Sequence, residues 1–298
     1  MLTSIPYLGE GLSILCALLW AFAVIFFRKS GETVHPLALN VFKNFLALGL
    51  FMLAMGLLGE YFLQAFPAKI YLIFMLSGVI GIGLGDTLFF SSLNLLGASL
   101  NSIVMCTYSP FIIGLSLIFL GESLTILQIF GVILITTAVV IATYKREKKI
   151  IEHKKLLLGI LLATLSSLST ATGVIIIKPL LAAYPLVWLT EVRLIGGLVA
   201  LGLILLLYPN RAKAFNSLNI KHGWHFTVIG SFFGAFLAMF VWLASIRYTQ
   251  ASIASALHET STIFTFIFAA IILREPITLR RSLGIILAFA GSFLVSFG

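Results

Sequence analysis

Charge is what this sequence lacks. Only 10% of its 298 residues are Asp, Glu, Lys or Arg, against roughly 25% in an ordinary soluble domain. A soluble chain of this length needs a charged surface, and nineteen basic plus ten acidic side chains cannot supply one. A soluble enzyme, a nucleic-acid binder and a disordered chain are all disfavoured. Cysteine is scarce as well: Cys16 and Cys106 both sit in apolar runs, so buried thiols are expected and no disulfide framework. There is no Gly-rich P-loop followed by Lys-Ser/Thr, which argues against ATP-driven pumping. The five histidines, His35, His153, His222, His225 and His258, are scattered without neighbouring cysteine, so neither a metal site nor a cofactor is expected. The first residues, Met1 to Glu10, lack a basic n-region, so a cleaved leader followed by nine spans is the lesser alternative.

What is present is apolar residue, 60% of the chain, with a mean hydropathy of +1.14. A bilayer core of about 30 Å needs roughly 20 apolar residues per helix. Ten such runs are found, over 9–28, 36–59, 70–94, 98–120, 125–144, 156–177, 185–208, 224–247, 251–273 and 280–297. Short connections such as Gly97-Ala98, Gly121–Leu124 and Arg274–Ile277 predict antiparallel neighbours. Strands of a membrane barrel would alternate in polarity over about ten residues, and these runs do not. The only long polar stretches are Lys145–Lys155 and Pro209–Lys221, so any chemistry belongs inside the membrane.

The second half repeats the first. Shifting by 153 lays Ala98–Leu134 over Ala251–Leu287 with twelve identities in 37 positions, among them Thr107/Thr260, Glu122/Glu275 and Gly131/Gly284. Upstream, a shift of 149 pairs Lys29 with Lys178 and Pro36 with Pro185. The expected architecture is an all-α integral membrane protein of ten transmembrane helices in two inverted five-helix repeats. Residues 1–144 form the first repeat, 145–155 a basic linker and 156–298 the second repeat. Five spans per unit, an odd number, invert the second unit, and inverted repeats let two related bundles exchange inward-open and outward-open shapes. Loops on the linker side hold fourteen Lys and Arg and those opposite hold three. The positive-inside rule therefore places the linker in the cytoplasm and both termini outside.

These features carry a resemblance. Trp20 is followed by Lys29 and by Pro36 opening the second span. Then come Gly81-Ile-Gly-Leu-Gly85, the Gly-Ala-Ser turn at 97–99 and Ser109-Pro110. Leu120-Gly-Glu-Ser-Leu-Thr125 with Gly131 follows, and Leu273-Arg-Glu-Pro-Ile-Thr278 with Gly284 repeats it. In this order they resemble the EamA-type members of the drug/metabolite transporter superfamily over almost the whole chain. The resemblance implies a multi-pass carrier of small metabolites, amino acids or related compounds, often acting in efflux, in a cytoplasmic-type cell membrane and without a prosthetic group. The second half departs from the first at Leu168-Ser169 against Leu19-Trp20, and at Ile263 against Pro110, so no subfamily substrate is carried over.

An ionisable group deep in a spanning helix costs about 2.5–3.5 kcal/mol on insertion scales and is a functional candidate by default. Lys43, Asp86, Glu191, Arg193 and Glu259, with His258 beside it, meet that description. Lys43 and Arg193 fall at nearly equivalent depths, Asn44 being the counterpart of Arg193. Both bases could face one cavity and meet carboxylates or phosphates, Arg193 bidentately; internal pairing with an acid is the competing reading. Two bases leave one of three acids unpaired, and burial disfavours an ionised carboxyl, so a proton-coupling acid is expected. Glu259 is the first candidate and Asp86, near Gly83 and Gly85, the second. Glu191 and Arg193 are two apart and point to different helix faces.

Tyr108-Ser109-Pro110 predicts a kink with a freed carbonyl. Trp20 and Trp242 sit in mid-span, where they pack or stack on a ligand, whereas Trp224 reads as an interfacial anchor. Asn40, Asn44, Asn94 and Asn101 could line the pathway or bridge helices. Glu122 and Glu275 most simply satisfy turn backbone near capping-box spacing. The expected function is alternating-access transport of a small polar solute by a monomer or homodimer in the lipid bilayer, with no nucleic acid and no enzymatic step. A membrane-embedded enzyme, for which only His258-Glu259 comes close to a catalytic pair, and a non-transporting sensor or scaffold are the alternatives.

Overall fold

Prolines and glycines mark several of the helix ends. Helix α1 spans Leu8–Ser30. Helix α2 (Pro36–Leu58) starts with proline in its first turn, where a missing N–H costs nothing, and the His35 side chain accepts from the Leu37 N–H at 3.3 Å. It stops at Gly59, whose φ of 69° is left-handed. The third run comprises α3 (Ala68–Gly78), a π-helical segment Val79–Gly85 and α4 (Asp86–Leu96). Gly97, at φ 79°, turns the chain sharply into α5 (Ala98–Met105), followed by α6 (Tyr108–Leu120) and α7 (Ile126–Thr143).

The second half runs α8 (His153–Ile177), α9 (Leu186–Leu207) and a short α10 (Arg211–Asn216). Then come α11 (Trp224–Gly230), a second π-helical segment Ser231–Ala238, and α12 (Met239–Tyr248). Helices α13 (Thr260–Ile272) and α14 (Leu279–Phe297) complete it.

This computed structural model describes residues 7–59, 61–120, 125–143, 153–219, 223–249, 254 and 257–297, and among them there is no strand. Helical segments fall within each of the ten expected runs, and among the described residues seven helical stretches are long and apolar enough to cross a membrane. The chain is an all-helical, multi-span membrane protein. Most of the basic linker, together with Glu122 and Lys221, lies outside the described residues. Two boundaries differ from expectation. Helix α8 starts at His153, so Lys154 and Lys155 are helical; long basic side chains can serve a span's end because their heads reach the interface. The polar stretch after α9 carries α10, held by the Ala214 N–H on the Asn210 carbonyl at 3.0 Å.

The two halves interlock. Helix α1 packs on α11, α12 and the second π-segment, while α8 packs on α3, α4 and the first. Helices α2 and α9 pack on each other, as do α7 and α14. This is the reciprocal pattern that a two-fold relation between the halves produces. Close approach of α3 and α9 depends on glycine: a Cβ on Gly78 would collide with the Arg193 carbonyl oxygen, and one on Gly196 with that of Met75. Small residues serve this purpose where lipid supplies no hydrophobic drive between helices.

One end of the bundle is filled by aromatic rings. Trp188, fully buried, has Phe66, Tyr71 and Phe74 edge-on at 4.7, 4.9 and 5.7 Å and donates its indole N–H to the Phe62 carbonyl at 2.8 Å. Outward-facing positions carry exposed Leu, Ile and Phe such as Phe45, Leu53, Leu203 and Ile271, the surface that hydrocarbon solvates.

Candidate functional site

A cavity of about 190 Å³ lies between the halves. Its wall takes Trp20 from α1, Lys43 from α2, Asp86 from α4, Tyr108 from α6 and Arg193 from α9, with His258 and Glu259 immediately before α13. Seven of the nine residues expected from the sequence are thus brought to one space. Asn44 and Glu191 are buried and are not among its lining residues.

Lys43 and Asp86 form an ion pair, Nζ to Oδ2 at 2.6 Å, with the two side chains only 5% and 18% exposed. The ammonium also donates to Asn44 Oδ1 at 3.2 Å and lies 5.8 Å from the Phe90 ring centroid. Asn44 donates in turn to the Asn40 side-chain and main-chain oxygens at 2.8 and 2.9 Å. Asn40 donates to the carbonyls of Ile82 and Gly83, at 3.1 and 3.4 Å, and to Thr87 Oγ1 at 2.9 Å. A continuous polar relay therefore joins Asp86 to the backbone of the π-segment. Of the competing expectations for Lys43, internal pairing is the one observed.

The relay answers a backbone requirement. A π-segment loosens the regular ladder, and inside a membrane its carbonyls need partners from protein or water. Ser169 donates to the Ile80 carbonyl and Ser166 to that of Gly85, both at 2.7 Å. Thr87 adds a bond to the Gly83 carbonyl at 2.7 Å. The backbone through Gly83 and Gly85 is a widened helix and not an unwound one.

Arg193 stands apart. It is 6% exposed, and its Nε has no hydrogen-bond partner. Among the described residues no carboxylate lies within ion-pair distance of it, although Asp86 and Tyr108 are within electrostatic reach.

Glu259 accepts from Ser109 Oγ at 2.8 Å and has no cationic partner among the described residues. Cys106 Sγ meets Thr262 Oγ1 at 3.3 Å. Adding 153 to Cys106 and Ser109 gives Glu259 and Thr262, so these are one contact made twice, once per half. The sequence points to Ser109 only as part of the Tyr108-Ser109-Pro110 motif and not to Thr262; the repeat register carries the signal that pairs them with Glu259 and Cys106.

Pro110 departs from expectation. The fourth run breaks at Cys106-Thr107, and Pro110 is the third residue of α6. Proline in a first turn removes no helical hydrogen bond, so it marks the start of α6 and not a kink within a helix. Trp20 lies 5.6 Å from Phe89 and Trp242 lies 4.8 Å from His258, ring to ring, and both tryptophans line the cavity. Trp224 opens α11 and is 61% exposed. Glu275 does satisfy backbone, but across the halves, accepting from the N–H groups of Ala98 and Ser99 at 2.8 and 3.2 Å.

A family model described as the EamA-like transporter family matches residues 7–144 and 157–297. A protein of Methanothermobacter thermautotrophicus described as an uncharacterized transporter is 25% identical over 292 residues, covering 92% of this chain and 83% of its own. One of Archaeoglobus fulgidus, described likewise, is 25% identical over 279 residues, covering 92% of each. A crystal structure described only as that of a protein shares the fold at a TM-score of 0.69 and 15% identity, over 96% of this chain and 95% of that one.

Proposed function

We propose, from the premise that this chain belongs to the EamA-like transporter family, that it is a secondary carrier moving a small polar metabolite by alternating access through the central cavity. The observation that carries the reading is the placement of Arg193, the Lys43–Asp86 pair and Glu259 around one enclosed space built from both halves. Charge is costly in hydrocarbon, so a bundle keeps it where charge is used.

Residues 1–144 and 156–298 are the two moving units, inverted about the cavity, with the 145–155 linker in the cytoplasm of the cell membrane and the termini outside. Reciprocal packing of α1 and α8 on the opposite π-segments supports this division. Glu259 carries the coupling proton. Ser109 donates to it at 2.8 Å and no cation pairs with it among the described residues, so the carboxyl can load from the cavity and release to it. Asp86 is tied to Lys43 and serves instead to hold that charge. His258, Tyr108 and Trp20 shape the solute's surroundings, while Asn44 and Glu191 act from behind the wall.

Impermeant thiol reagents test alternating access. In a chain carrying Cys16→Ser and Cys106→Ser, a Ser261→Cys substitution places a thiol in the cavity wall. In oriented vesicles it should react with reagent added to either face, and each reaction should slow when the opposite orientation is favoured by a solute gradient. Reaction from one face alone under every gradient would overturn the proposal.

A further inference from the structure

The cavity contains two cations, and their surroundings differ. Lys43 is partnered: it donates to Asp86 at 2.6 Å and to Asn44 at 3.2 Å, and the Phe90 ring centroid lies 5.8 Å away. Arg193 has no such shell. No carboxylate stands within ion-pair distance among the described residues, and its Nε–H lacks an acceptor. Guanidinium stays protonated in proteins, and a buried charge without a partner is strongly destabilising. Asp86, within electrostatic reach, is already tied to Lys43, and no carboxylate among the described residues pairs with the guanidinium directly, which points to a partner that arrives from outside.

The shape of that partner follows from the donors. The planar guanidinium can hold a carboxylate by two parallel N–H bonds, a bidentate geometry that adds both strength and specificity. The charge balance sets the valence: with Glu259 carrying its proton, Lys43 and Asp86 cancel and one positive charge is left at Arg193. A second negative charge on the solute would meet Asp86 or Glu259 instead of a free cation.

The remainder of the wall sets the body. Trp20 and Phe89 lie against each other, tilted, with centroids 5.6 Å apart, and Trp242, Met105 and Met239 also line the space. Aromatic faces and adaptable thioethers favour a ring or branched hydrocarbon over a polyol.

We infer that the cavity binds a monocarboxylate with an apolar, ring-sized body, its carboxylate on Arg193 and its body against Trp20 and Phe89. The biological use of such binding rests on the transport reading above; the binding itself does not.

Four probes with one ring and different heads decide the matter on the purified full chain: sodium benzoate, sodium phthalate, benzylamine and benzyl alcohol, read by thermal shift. Benzoate should raise the Tm in a saturable manner and the other three should not. Arg193→Gln should weaken benzoate about ten- to hundredfold, the loss expected for a hydrogen bond to a charged group, and Arg193→Lys should recover part of it. Asp86→Asn frees Lys43 and should let phthalate stabilise the protein.

Stabilisation by benzylamine, or phthalate equal to benzoate in the unmodified chain, would overturn the inference, as would benzoate binding unaffected by Arg193→Gln. The wild-type comparison requires no variant to fold. Benzoate binding in a cavity labelled from one face only would defeat the transport reading and leave this one standing. A cavity labelled from both faces that ignores benzoate would do the reverse.

Discussion

Ser109 Oγ donates to Glu259 Oε1 at 2.8 Å across the two halves, and the equivalent contact in the other direction joins Cys106 to Thr262 at 3.3 Å. One architectural position thus holds a carboxyl in the second half and a thiol in the first. The asymmetry confines an acid to one side of an otherwise repeated crossing. Both crossings fall where the fourth span of each half breaks, at Cys106-Thr107 and at Glu259.

Removing the donor tests that contact. Ser109→Ala leaves a buried carboxyl oxygen without its partner, and such losses cost about 1–3 kcal/mol. Thermal unfolding in detergent should show Ser109→Ala and Glu259→Gln each destabilising, and the double variant less so than the sum, because the two residues share one interaction. Strict additivity would mean that the contact contributes nothing. In vesicles, Glu259→Gln should abolish accumulation driven by a pH gradient while leaving solute exchange intact.

The Lys43–Asp86 pair predicts a different pattern. Breaking a buried pair by removing one partner costs about 3–5 kcal/mol, because a lone charge is left behind, whereas removing both is far milder. Lys43→Met should therefore lower the unfolding temperature more than Lys43→Met combined with Asp86→Asn. A double variant less stable than either single one would show that the relay through Asn44 and Asn40, and not the charge pair, holds α2 to α4.

Much of this was legible in the sequence, and the parts that were not have identifiable causes. Spans are written in hydropathy, so helix positions were expected within a few residues. The five buried ionisable groups stood out because charge in hydrocarbon is rare. Pairing was not legible: nothing in the spacing of Lys43 and Asp86 says that α2 meets α4 at that level. The π-segments escaped too, since Gly81, Gly83 and Gly85 are compatible with a bend, a bulge or close packing. Glu275 was read as serving its own turn because local capping is the commoner habit, whereas its acceptor role spans 177 residues. The repeat register was the one long-range signal available, and it encodes the Ser109–Glu259 and Cys106–Thr262 contacts together.

Gly78 offers a steric test. A methyl there would run into the Arg193 carbonyl oxygen, and backbone on both sides leaves little room to yield. Gly78→Ala should cost about 1–3 kcal/mol, the usual range for overpacking, and should weaken whatever Arg193 binds by displacing its helix. Gly49 lies in α2 with nothing within 4 Å of a built Cβ, so Gly49→Ala is the neutral control. Equal effects from both would remove the packing argument.

His35 predicts an acid limb. It lies just ahead of α2, and burial pushes its imidazole below the usual histidine value of 6.5. The neutral ring accepts from the Leu37 N–H and faces the Tyr208 hydroxyl at 3.2 Å. A base whose folded value is lowered contributes stability that is complete above its unfolded value and fades as pH falls through the folded one. Unfolding temperature should drop as pH falls from about 6.5 through the lowered folded value, and His35→Asn, which keeps a capping oxygen, should flatten the drop. An unchanged slope in His35→Asn would assign the acid sensitivity elsewhere.

Glu275 makes the last and most local prediction. Its two carboxylate oxygens accept from the N–H groups of Ala98 and Ser99 at the start of α5, and Arg281 backs it at 3.5 Å. A carboxylate at a helix N-terminus satisfies donors that the helix cannot and meets the positive end of its dipole. Glu275→Ala should therefore cost about 0.5–2 kcal/mol, as lost caps do, while Glu275→Gln keeps one acceptor and should cost less. Because α5 and Glu275 belong to different halves, the loss should appear as looser association between them, measured as faster hydrogen exchange at Ala98–Asn101. Exchange unchanged in Glu275→Ala would show that Gly97 and its turn hold that end of α5 without help from the second half.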